Sequence, residues 1–172
     1  MRMKTTFKQL LLTAAACVLV LGTTAGKKNP AQRPWAWKGT ATLVADFTQI
    51  KPSELPGFFI VPWHMAKASG TMEHLGLYTL SGQGEVVLDA NLNIVAISGD
   101  ECATAANGDK LCWHMARTGP TTNEFWIQSG GTGRFQDAAG MAQEVVTSAT
   151  VTWDGPLAIL EGTVYGTGWI SY

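Results

Sequence analysis

Short β-rich apolar runs recur along most of this chain, and turn residues break them at short, regular intervals. Thr40-Ala41-Thr42-Leu43-Val44-Ala45-Asp46-Phe47 is β-rich and short, and a period of two marks a strand with one face buried. The same pattern predicts strands at 58–61, 75–80, 84–88, 92–98, 110–117, 125–129, 145–153 and 157–165, with 166–172 closing the chain. Pro52, Pro56 and Gly57, then Asn107-Gly108, Gly119-Pro120 and Asp154-Gly155-Pro156, supply the turns between them. Turns recurring about every 8–12 residues describe consecutive hairpins. The expected fold is all-β: a single antiparallel β-barrel of about eight strands, closed because closure removes exposed edges. Only residues 137–144 read as a helical turn or two.

The opening residues follow a different pattern. Arg2, Lys4 and Lys8 precede an apolar run at 10–21, and Thr23, Thr24, Ala25 and Gly26 are small. A run of about a dozen residues is short of the ~20 that span a bilayer as a helix, so residues 1–26 read as a secretory signal peptide cut near Ala25. Lipoprotein anchoring at Cys17 is the less favoured alternative, because Val18-Leu19-Val20-Leu21 continues the apolar run past that cut. Residues 27–34 read as a flexible lead-in and 35–172 as the barrel domain. The expected location is secreted or periplasmic, with no membrane-spanning helix in the mature chain.

Composition narrows the classes further. The 172 residues carry 12 Lys+Arg and 13 Asp+Glu; 15% are charged and 46% hydrophobic. That composition excludes a disordered tail. It also excludes a nucleic-acid partner of the usual kind, since a formal charge of −1 cannot neutralise a row of phosphates. Loss of the leader leaves nine basic against thirteen acidic residues, a formal −4.

The turn at Asn107-Gly108 fixes a register. With a three-residue loop Ala106-Asn107-Gly108 and a left-handed Gly108, Ala105 faces Asp109 and Cys102 falls opposite Cys112. Cα atoms across a non-hydrogen-bonded pair lie ~4.5 Å apart, within disulfide range. The alternative is two buried thiols; in an oxidising compartment the reading is a Cys102–Cys112 disulfide.

Several segments occur together: Glu73-His74-Leu75-Gly76-Leu77-Tyr78-Thr79, Ala105-Ala106-Asn107-Gly108-Asp109, Gly130-Gly131-Thr132-Gly133-Arg134-Phe135 running to Ala139-Gly140, and Glu161-Gly162-Thr163 with Ile170-Ser171-Tyr172. Over most of 38–172 the chain resembles a family of small secreted bacterial β-proteins of unassigned function. Its members carry an HLG-[RLY]-[FY]-T segment, an AANGD hairpin and a GGTGRFxxAxG turn. That last turn is also similar to one in the allene-oxide-cyclase-like barrels, a group that includes plant dirigent-like and cyclase proteins. The resemblance implies a small antiparallel barrel with a central cavity, and it implies no reaction.

No cofactor fingerprint accompanies the glycines. Gly131-x-Gly133 lacks a third glycine at Gln136, and no Lys-Ser or Lys-Thr follows. The turn reads as structural, with Phe135 capping the core and Arg134 pairing with an acid. Trp63-His64-Met65-Ala66-Lys67 recurs as Trp113-His114-Met115-Ala116-Arg117. By alternation Trp and Met pack one face while His points to the other. A metal reading would gather His64, His74 and His114 for Zn²⁺ or Cu²⁺, or add Met65 or Met115 for Cu⁺ across a bulge.

The favoured function is that of an exported soluble barrel binding a small apolar ligand or a surface partner, with Trp63, Trp113, Trp126 and Trp153 as lining candidates. Whether it is an enzyme stays open. The alternative is a cyclase or isomerase using a cavity acid, with Glu73 and His74 as catalytic candidates and Glu144 or Glu161 as further acids. A third reading, a small outer-membrane barrel, leans on the aromatic end Trp169-Ile170-Ser171-Tyr172. Gly166 and Gly168 on the Tyr172 face interrupt the apolar band it needs.

Overall fold

The structure is a computed structural model that describes residues 31–117, 122–127 and 131–172. The leader read at 1–26, Cys17 within it, and the Gly119-Pro120 turn lie outside the described residues.

Nine strands are present among the described residues: β1 (Arg33–Asp46), β2 (Lys51–Pro52), β3 (Phe59–Met72), β4 (Gly76–Leu88), β5 (Ile94–Ala105), β6 (Lys110–Arg117), β7 (Thr122–Ile127), β8 (Ala139–Asp154) and β9 (Leu157–Ser171). Each long strand pairs antiparallel with its neighbours, and β1 pairs with both β9 and β3. That last pairing closes an eight-stranded antiparallel barrel. The two-residue β2 follows a 3-10 turn at Phe47–Gln49 and continues β1's edge alongside β3.

Three expectations are corrected. Residues 139–144 form the start of β8 and not a helical turn: Gly140, Ala142 and Glu144 face inward while Phe125 and Ile127 of β7 pair beside them. The segments 75–80 and 84–88 belong to one strand, β4, and 157–165 and 166–172 to another, β9. Gly82 lies at the first join and Gly166 at the second. Gly99 of β5 has the Trp63 indole lying over it, and a Cβ on Gly166 would strike the Trp37 indole; bare wall positions of this kind accept a neighbour's large ring. β1 also begins at Arg33, inside the segment read as a lead-in.

Three bulges reset the alternation; in one, Val87 faces Ala96 but Leu88 faces Ile94, so Val95 is the extra residue in β5. Thr42 faces Lys67 but Leu43 faces Met65, so Ala66 is an extra residue in β3. Val146 faces Val164 but Ser148 faces Thr163, which makes Thr147 the extra residue in β8.

The hairpin between β5 and β6 has the expected register. Ala105 N–H donates to the Asp109 carbonyl, Gly108 has φ 88°, and Cys102 pairs with Cys112 in a disulfide with a Cα–Cα distance of 4.1 Å.

The two barrel ends differ. At one, Trp35, Leu111, Phe135 and Ile170 are 0–1% exposed and fill the bore. Phe135 is delivered by a 3-10 turn (Gly133–Phe135) tied down by the Arg134–Asp109 ion pair, 3.4 Å. At the other end β6 and β7 stop short. Beyond the Ser98↔Ala116 and Thr122↔Val145 pairs, β5 has only β4 beside it and β8 only β9, among the described residues. The wall formed by the described residues is notched there.

Candidate functional site

The notched end opens into an apolar hollow of about 160 Å³. The ends of six strands build it, with Leu43, Val61, Trp63, Val86, Ile97 and Leu160 deeper and Leu92, Ile94, Val151 and Trp153 nearer the rim. Leu92, Ile94, Val151 and Trp153 are half or more exposed, although folding ordinarily hides such side chains. Trp153 leans on Phe47, ring centroids 5.0 Å apart. Trp63 lies along the wall and donates from Nε1 to the Ser98 carbonyl, 3.1 Å.

Leu43, Ile97 and Leu160 line both this mouth and a second cavity of about 60 Å³ inside the barrel. The inner cavity is polar on one side. Five consecutive strands each contribute a polar inward side chain: Tyr78 from β4, Glu101 from β5, Arg117 from β6, Asn123 from β7 and Glu144 from β8. Three of these share a lateral row, since Arg117 faces Asn123 and Asn123 faces Glu144. The row continues through Gly166 to Trp37. Because Gly166 has no side chain, the Trp37 indole crosses β9 and donates to Glu144 Oε2, 3.0 Å. Asn123 Nδ2 donates to the other carboxylate oxygen, 3.1 Å. Glu101 is served by its direct cross-strand partner, with Trp113 Nε1 donating to Oε2 at 2.8 Å.

Burial governs the protonation of both acids. Desolvation pushes Glu101 up to about 8, the facing Glu144 pushes the same way, and the Trp113 bond only partly opposes them. Desolvation also raises Glu144, against the two N–H groups that favour its ionised form. Tyr78 is raised to about 12, first by burial and then by the two carboxylates. Burial lowers Arg117. Two buried polar atoms facing this region, Arg117 Nε and Asn123 Oδ1, have no hydrogen-bond partner among the described residues.

The residues singled out from sequence are scattered by the fold. Trp63 and Trp153 line the mouth, Trp113 lines the inner cavity, and Trp126 lies on the outer face stacked against His114, 6.4 Å between centroids. Glu73 and His74 sit in the turn between β3 and β4 and line neither cavity; a ring nitrogen of His74 lies 2.7 Å from the Pro34 carbonyl. Glu161 points outward and is exposed. His64 and His114 share an outer row through Gln83 and Asp100, which holds them roughly 14 Å apart at ~4.8 Å per strand. His114 pairs with Asp100 instead, 2.9 Å. No group of three or more His, Cys, Asp or Glu suited to a metal ion is present among the described residues. His64, Lys67, Ser69, Thr79, Gln83, Glu85 and Asp100 occupy exposed outward positions, where a lipid-facing band has to be apolar.

Glu101 and Arg117 were not anticipated as site residues. Alternation carried the signal, because Glu101 has the parity of Ile97 and Ala103, and Arg117 that of Trp113 and Met115.

No family model matches the chain, and no curated protein matches it. Among solved structures, it is similar to that of the pterocarpan synthase dirigent protein. The identity is 19%, the TM-score 0.45, and the match covers 92% of this chain and 99% of that one.

Proposed function

We propose that the protein is exported and binds a small apolar ligand in the mouth of its barrel. The observation that carries this reading is the hollow of about 160 Å³ walled almost wholly by aliphatic and aromatic side chains and opening at a rim of exposed Leu92, Ile94, Val151 and Trp153. Each ~100 Å² of apolar wall covered by a ligand contributes about 2.5 kcal/mol, so a molecule of six to ten carbons suffices for measurable affinity. Export is supported by the Cys102–Cys112 disulfide, which suits an oxidising compartment, and by the leader pattern at 1–26. Titration with 1-hexanol, followed by tryptophan fluorescence and calorimetry, tests the binding. Saturable binding that weakens about fivefold or more in Leu92→Asp is expected; no saturable binding removes the proposal.

A second reading, acid catalysis of the isomerase or cyclase kind, is favoured by one observation. Glu101 keeps its proton at neutral pH, and its Oε1 has no hydrogen-bond partner among the described residues at the inner cavity. Its mark is turnover that Glu101→Gln abolishes while ligand affinity persists.

A further inference from the structure

The inner cavity places two carboxyl groups, one guanidinium and three aromatic side chains around one small space. With Glu101 and Glu144 ionised and Arg117 charged, it holds one net negative charge. Without a ligand that charge is removed by a proton, and Glu101 carries it. Glu144 has both oxygens bonded by Trp37 and Asn123 and is arranged as a carboxylate. Asn123 is 7% exposed, and its Oδ1, an acceptor, has no donor among the described residues. Trp37, Trp113 and Tyr78 line the same space. Aromatic faces beside carboxylates are the recurring means of holding an organic cation out of water.

We propose that this inner cavity takes a protonated amine, an alkylammonium head group with at least one N–H, carried on an apolar chain that lies in the mouth. The inference rests on the mouth being a ligand site. An ammonium N–H supplies the donor that Asn123 Oδ1 lacks, and its charge replaces the proton on Glu101. A hydroxyl answers the first need and leaves the second unmet, and a carboxylate adds a like charge. The cavity of about 60 Å³ is small. At about 10–15 Å³ of such space per water molecule, it holds a head group of a few heavy atoms, and the chain passes out between Leu43, Ile97 and Leu160.

The exchange balances. One ammonium enters, Glu101 gives its proton to solvent, and the cavity stays neutral. The titratable or charged groups facing Glu101 are Tyr78 on β4, Arg117 on β6 and Glu144 on β8; β1, β3, β7 and β9 present only non-titrating side chains to the cavity.

The test uses the full-length mature chain with 1-hexylamine and 1-hexanol as matched probes, by calorimetry in two buffers of different ionisation enthalpy. Hexylamine is expected to bind about tenfold or more tighter than hexanol near pH 8.5 and to weaken by roughly seventyfold at pH 6, where protons compete for Glu101. Near pH 7 it releases about one proton, and hexanol releases none. Glu101→Gln, which keeps shape and removes charge, is expected to erase the amine preference and the proton release while hexanol binding and the near-ultraviolet circular dichroism persist. Equal affinities for the two probes, an amine affinity flat with pH, or an unchanged preference in Glu101→Gln overturns the amine assignment and leaves the mouth as a ligand site. Failure of both probes to bind overturns the mouth reading and the amine assignment together.

Discussion

The two ends of the barrel are made from the same strands and treat water in opposite ways. At the plugged end Phe135, Trp35, Leu111 and Ile170 are sealed, and the disulfide and the Arg134–Asp109 pair fasten the hairpin and turn that hold them. At the open end side chains of similar apolarity, Leu92, Ile94, Val151 and Trp153, stand in solvent around a hollow. The difference comes from strand length. Among the described residues β6 and β7 run for 8 and 6 residues against 12–16 for the other barrel strands, so there the described wall ends early on one side and gives the rim no cover. The plugged end supplies stability, and the open end holds apolar surface that folding has left unspent.

Truncation should separate the ends most sharply. Phe135→Ala is expected to cost about 3–5 kcal/mol, the range for deleting a fully buried aromatic, measured by urea unfolding. A loss below about 1 kcal/mol would mean that the plug is not what seals the barrel.

The acids lie between the ends and give a pH signature. Glu101 ionises near 4.5 when unfolded and near 8 when folded, so the folded state holds the extra proton. Stability is therefore greatest below about pH 4.5 as far as this group is concerned, falls as pH rises through the interval, and levels off above about 8. The expected loss is on the order of a few kcal/mol, and Glu101→Gln should flatten it. A wild-type profile already flat from pH 5 to 8 would show that Glu101 is hydrated from the mouth.

The smallest effect belongs to the rim. Trp153 is 60% exposed, so Trp153→Ala should change stability by under about 1 kcal/mol while weakening 1-hexanol binding severalfold. A stability loss comparable to that of Phe135→Ala would erase the distinction between the ends.

Much of the wall was legible in the sequence. The 110–117 strand has the bounds read for it, and the Asn107-Gly108 loop set the register that brings Cys102 to Cys112. Both succeed because local chemistry decides them: a left-handed glycine fixes the hairpin, and period-two patterning fixes the strand. Ala139-Gly140-Met141-Ala142-Gln143-Glu144 has the helix-forming composition that suggested a turn of helix, yet β7 and β9 flank it on both edges and it is strand; pairing overrides propensity there. The inner site was harder. Glu144 figured among the candidate acids, but Glu101 and Arg117 are charged residues at core parity, and patterning treats such positions as exceptions. What makes them tolerable is non-local: an indole from the next strand for Glu101, and for Glu144 an indole reaching over a glycine two strands away. Nothing in a linear sequence announces that Trp37 and Glu144 are neighbours.

The repeated pentapeptides show how far one inserted residue can reach. Trp63 and Met65 match Trp113 and Met115 in facing the bore, but the bulge at Ala66 turns Lys67 to the outer surface, while unbroken β6 carries Arg117 inward to the polar cavity. Near-identical words are thus read in different frames, and their final cations answer to different surroundings, bulk solvent for one and a pair of carboxyl groups for the other. In a wall of this kind, loss or gain of a single residue works as a mirror, exchanging lining for exterior along everything downstream until another irregularity restores the phase.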